Sequence, residues 1–167
     1  MILDGNFLEI TDELTIPMPA LPRPSFEDLQ RDFPRLRLHK IDRDTSPTTS
    51  GAMLLATVLR PDDGDYISTE VYDRRIAFAR DLLLGYQHLS WLLANRKAYP
   101  AFQALVGRVG IHFPGIRIIT TAPSSVPNIL GFSGPTPLVC DTLRGEWKKC
   151  WYALGAVPNT RVALFSP

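Results

Sequence analysis

The chain has 167 residues, of which 45% are hydrophobic and 21% charged, and its formal net charge is +1. That length suits one domain that buries roughly two-thirds of its unfolded surface and needs no staple. The composition excludes a chain disordered over most of its length. The near-zero total hides a gradient. Residues 1–45 carry nine acidic and six basic side chains, residues 46–100 six of each, and residues 101–167 only Asp141 and Glu146 against six bases. Such a gradient fits a polarised surface, or ends that attract each other within the fold. Two cysteines, Cys140 and Cys150, are too few for a disulfide framework and read as buried thiols. The N-terminus lacks the basic start and apolar core of a secretory signal, and no apolar run approaches the ~20 residues that span a bilayer. We expect a cytoplasmic protein that does not enter a membrane.

Phe7–Ile10 suits a short strand. Residues 16–24 follow as Ile-Pro-Met-Pro-Ala-Leu-Pro-Arg-Pro, and four prolines at that density forbid helix and central strand and favour an extended arm. Ser25 with Asp28 three positions on forms a capping box, predicting a short helix with Phe26, Leu29 and Phe33 inward that stops before Pro34. Leu36–Ile41 and Ala52–Leu59 suit strands that could pair as a hairpin, and Pro61–Gly64 suits a turn. A long helix is predicted from about Ser68 to about Lys97. Asp62, Asp63, Asp65 and Glu70 suit its positive end, and Arg96 and Lys97 its negative end. Tyr72, Ile76, Ala79, Leu83, Tyr86 and Leu93 mark one face, and Val71, Phe78, Leu82, Leu89 and Leu92 a second. Gly85 is the place for a bend.

Pro100–Val106 suits a second, short helix with proline at its first position. The rest reads as strands at the spacing of an antiparallel meander: Arg108–Phe113, Ile116–Thr121, Asn128–Phe132, Thr136–Cys140, Glu146–Tyr152 and Arg161–Phe165. The expected class is α+β in a single domain, residues 1–167. A long central helix packs against a mostly antiparallel sheet formed largely by the C-terminal half.

Arg144, Trp147, Lys148, Lys149 and Trp151 combine charge for phosphates with ring faces for bases, the ingredients of single-strand binding. Arg108, Arg117 and Arg161 would extend that patch if their strands adjoin. The competing structural reading is that Trp147 and Trp151 anchor the sheet. Pro19, Leu21 and Pro22 satisfy a bare P-x-x-P pattern for a protein partner, or the arm lies across the domain's own core. His39, His88 and His112 form no ligand pair at metal spacing, and His39 with Asp42 and Asp44 alternates in direction along a strand. No Gly-x-Ser-x-Gly elbow, phosphate loop or dinucleotide fingerprint is present, and Asp62–Asp65 departs from a calcium loop. No catalytic residue, metal or cofactor is assigned. The leading expectation is a non-enzymatic binding protein acting through protein–protein contacts or self-association, as an assembly subunit, adaptor or inhibitor. A nucleic-acid-binding module is the alternative, and a hydrolase or transferase with a dispersed site the second.

Overall fold

A computed structural model describes residues 2–3, 8–34, 37–120, 133–134, 136–141, 146–152 and 158–167. Its strands are β1 (Ile2–Leu3), β2 (Leu8–Met18), β3 (Leu38–Asp44), β4 (Gly51–Thr57), β5 (Gly110–His112), β6 (Ile116–Thr120), β7 (Ser133–Gly134), β8 (Thr136–Asp141), β9 (Trp147–Tyr152) and β10 (Thr160–Ser166). The α-helices are α1 (Phe26–Asp32), α2 (Thr69–Ile76), α3 (Tyr86–Ala94) and α4 (Pro100–Gln103), with 3₁₀ turns at Ala77–Leu82 and Arg96–Ala98. The class is α+β. Seven strands form a mixed sheet in the order β1-β2-β4-β10-β5-β8-β9, and β3-β6-β7 form a smaller one.

The large sheet is covered on both faces, which explains the uninterrupted apolar run Val162–Phe165 in β10. Ala163 and Phe165, with Leu55 and Met53 opposite them, join the core under α3 and α4, where Leu89, Leu92 and Phe102 are buried. Val162 and Leu164 face the other way, into a second core with Tyr72, Ile76 and Ala79 of α2 and its 3₁₀ extension. Each helix closes one side of the sheet.

The long helix predicted over 68–97 is instead several short elements. It starts at the expected cap, since the Ser68 side chain accepts the Val71 N–H. It then tightens to 3₁₀ over Ala77–Leu82 and stops. Leu83 bridges Leu164 of β10, the Leu84 N–H donates to Ala163 O at 3.1 Å, and Leu84 O accepts the Gly115 N–H at 2.9 Å. An extended piece at the centre of the molecule thus uses backbone groups that a continuous helix would have turned inward. Gly85 then opens α3, with Ser46 packed where a Cβ would lie. Of the first apolar face, Tyr72, Ile76, Ala79, Leu83 and Tyr86 are buried and Leu93 is half-buried. Phe78, expected inward, is exposed.

The sheet is likewise not a C-terminal meander. Its longest strand, β2, and its partner β4 come from the first 57 residues. β3 and β4 do not pair with each other; β3 joins β6 in the small sheet. β10 runs parallel to β5 and antiparallel to β4, and of the expected meander β8–β9 remains as an antiparallel pair. β2 continues through Pro17, opposite Ala52, where the prolines predicted an extended arm and no central strand. Among the described residues β1 pairs with β2 only at Leu8 and Glu9, which leaves Pro17 on an edge portion that tolerates a missing donor. The capping box of α1 forms as predicted, with Asp28 N–H donating to Ser25 Oγ and Ser25 N–H to Asp28 Oδ2, each at 3.1 Å. The strand expected at Asn128–Phe132 lies outside the described residues.

Candidate functional site

The small sheet and the α2 segment enclose a recess of about 140 Å³. β3 contributes Arg43 and β6 contributes Arg117, and the register places these two arginines directly opposite each other. Asp73 and Ile76 come from α2, Ala77 and Arg80 from the 3₁₀ turn, and Leu83 from the extended break. Three guanidinium groups therefore converge from separate elements on a partly apolar recess. Like charges directly opposite on paired strands are ordinarily destabilising, so the arrangement calls for negative charge nearby.

Such charge is present. Arg117 Nη1 lies 3.9 Å from Asp73 Oδ2, and Arg117 Nε lies 3.9 Å from Asp42 Oδ2, both beyond hydrogen-bond length. Asp42 is shared with Lys40 Nζ at 3.8 Å. Arg43 Nε is buried without a hydrogen-bond partner among the described residues. Burial first, then the charges of Arg80 and Arg117, push the Arg43 guanidinium below its usual range. Burial raises the Asp73 carboxyl, outweighing the opposing pull of Arg117 and Arg43. Arginine keeps its charge at any physiological pH. The recess can therefore grip and orient an anion.

Beside this site lies a buried polar cluster that fixes β3. The Ser46 N–H donates to Asp44 Oδ1 at 3.1 Å, the Ser46 hydroxyl donates to the same oxygen, and Gln87 Nε2 donates to Ser46 Oγ at 2.7 Å. Arg23 Nε donates to Ser46 O at 2.9 Å and lies 3.6 Å from Asp44 Oδ1. The proline-rich stretch is thus tied to the domain through Arg23. Pro19 and Leu21 are half-buried and Pro22 is exposed.

The predicted basic and aromatic patch is only partly within view. Arg144 lies outside the described residues. Lys148, Lys149 and Trp151 are placed by their backbone on β9, opposite Cys140, Val139 and Pro137. Trp147 is 8% exposed and stacks on Phe102, with ring centroids 4.6 Å apart and planes 6° from parallel. That ring face is taken, and a base could stack on it only by displacing Phe102. Trp147 does form the wall of a second, shallower cleft of about 360 Å³ that also holds Arg96, Lys97, Gln103 and Glu146.

The histidines are dispersed. His39 is exposed on β3. His88 Nδ1 accepts the Gly85 N–H at 3.2 Å and so caps α3, and His112 Nδ1 lies 2.9 Å from the Tyr72 hydroxyl. Burial pulls both His88 and His112 down to about 4, and both are neutral at pH 7. Among the described residues no group of three or more His, Cys, Asp or Glu side chains could hold a metal ion. Asp62–Asp65 is a turn whose Asp63 receives Arg75 through both guanidinium nitrogens, at 2.5 and 2.7 Å. No helix of the described residues is long and apolar enough to cross a membrane.

Sequence reading singled out Arg117 only as an extension of the C-terminal patch. Arg43 and Arg80 were not marked at all. Nothing local distinguishes them, because the site is assembled from chain positions 43, 73–83 and 117. No family model, no curated protein and no solved structure matches the chain.

Proposed function

We propose that this chain is a non-enzymatic binding protein that works through protein–protein contacts, as an assembly subunit, adaptor or inhibitor. Its charged contact point is the recess of Arg43, Arg80 and Arg117, which receives an acidic group from the partner. The observation that carries this reading is the convergence of three guanidinium groups, two of them directly opposed across β3 and β6, on a recess lined by one carboxylate. Phe78, next in sequence to the lining residue Ala77, is 40% exposed. Arginine and aromatic residues are both enriched in protein–protein contacts. The test is a titration with a short glutamate-rich peptide, read by fluorescence anisotropy. Saturable, salt-sensitive binding that Arg80→Gln weakens by about tenfold is the expected result. Binding unchanged by Arg80→Gln and by Arg43→Gln removes the recess from the account.

The nucleic-acid reading keeps one supporting observation, the cleft that sets Arg96 and Lys97 beside Trp147. Both bases are exposed, so the double variant Arg96→Ala/Lys97→Ala tests it without disturbing the core. Loss of low-salt binding to single-stranded DNA in that variant would move this reading forward.

A further inference from the structure

The arginine recess also bears on which anion it takes. A carboxylate is planar and is satisfied by one guanidinium through two parallel hydrogen bonds. Three guanidiniums approaching from two strands and a helical turn exceed that need, and their separate directions suit a tetrahedral group. Around the recess Arg43, Arg80 and Arg117 stand against Asp73, with Asp42 and Glu70 close to that group. A phosphate monoester carries about −1.5 to −2 at pH 7 on three acceptor oxygens, one for each guanidinium. A volume of about 140 Å³ equals the share of only a few waters, each about 30 Å³ in the liquid. One such group fits. Ile76 and Leu83 give the recess an apolar part, where a charge-assisted hydrogen bond is stronger than at an open surface.

We propose that the recess binds a single phosphoryl group, either free phosphate or a phosphomonoester on a partner segment. This rests on the reading of the recess as the anion contact of a binding protein. Arg43 and Arg117, directly opposed on β3 and β6, are the strand-borne contacts, and Arg80 is the exposed one.

The experiment is an NMR titration of the isotopically labelled full chain with sodium phosphate, against sodium chloride at matched ionic strength. Parallel titrations use a phosphoserine peptide and its serine and glutamate counterparts. The proposal expects saturable shifts in phosphate at residues lining the recess, absent in chloride. Arg80→Gln, at an exposed position that leaves the core untouched, should weaken binding about tenfold, and Arg43→Gln should act in the same direction. A phosphoserine peptide that outbinds free phosphate identifies a protein-borne group, and the reverse order identifies the free ion; both support the site. Shifts no larger than those in chloride, or affinity for phosphate unchanged in both variants, overturn it. If the glutamate peptide binds through the same arginines while phosphate and phosphopeptide do not, the phosphoryl assignment falls and the acidic-contact reading stands. Failure of all the ligands removes both.

Discussion

Gly115 has no room for a side chain: a Cβ there would lie 2.3 Å from Leu83 O and 2.9 Å from the Leu84 carbonyl carbon. The close approach is what lets the Gly115 N–H reach Leu84 O and the Thr45 N–H reach Gly115 O, joining the small sheet to the central break. Gly115→Ala is expected to destabilise the fold by about 1–3 kcal/mol, measured by urea unfolding, because the contact is with backbone that cannot swing aside. Asp63 shows a second residue-scale dependence. Its bidentate partner Arg75, which also donates to Val58 O at 2.8 Å, pulls the Asp63 carboxyl down to about 2. Both side chains are only 11% exposed, so Asp63→Ala strands a nearly buried guanidinium and should cost roughly 3 kcal/mol. A melting temperature within a degree or two of the parent would contradict that. The buried histidines set the pH profile. A group lowered to about 4 in the fold and near 6.5 when unfolded contributes stability that is full above pH 6.5 and lost as pH falls toward 4. Denaturation at pH 7.5, 5.5 and 4.5 should show that decline. The pair His88→Gln/His112→Gln should flatten it, and an equal slope in both proteins would show that other groups carry it.

At the scale of elements, the helix signals were legible where they are local. Ser25 with Asp28 and Ser68 with Val71 form the expected caps, and Pro100 opens α4. The error over 68–97 has a physical cause. Helical periodicity continues past Leu82, but the segment is apolar nearly all round, and a chain that crosses the centre can satisfy its backbone by pairing with β10 as well as by coiling. Burial on all sides does not specify which. Gly85, against Ser46, marks the place where extended chain becomes α3. β9 carries a prediction of its own. Trp147 is wedged on Phe102 in the main core, so Trp147→Ala should cost about 3–5 kcal/mol by thermal or chemical unfolding. It is therefore a poor probe of nucleic-acid binding, for which the exposed Arg96 and Lys97 are the suitable positions.

Across the whole molecule, part of the charge gradient proves to be internal. Arg161 near the C-terminus holds both oxygens of Glu13, at 2.6 and 3.0 Å, and keeps that carboxyl below its usual range. Arg117 likewise faces Asp42 and Asp73. The strand order was not legible because pairing partners are chosen by packing across the whole chain; Val162–Phe165 is buried on both faces, and nothing local says which strands flank it. The same holds for the recess. Arg43, Arg80 and Arg117 are ordinary charges in three unrelated stretches, and only the β3–β6 register and the break after Leu82 bring them together. The account turns on these three arginines acting as one anion-gripping unit. The most direct measurement follows the arginine Nε–H resonances by NMR while a glutamate-rich peptide is added. The account predicts that Arg43, Arg80 and Arg117 shift together on one binding curve while Arg161 and Arg96 stay put. Equal small shifts across all arginines, or none at the three, would contradict it.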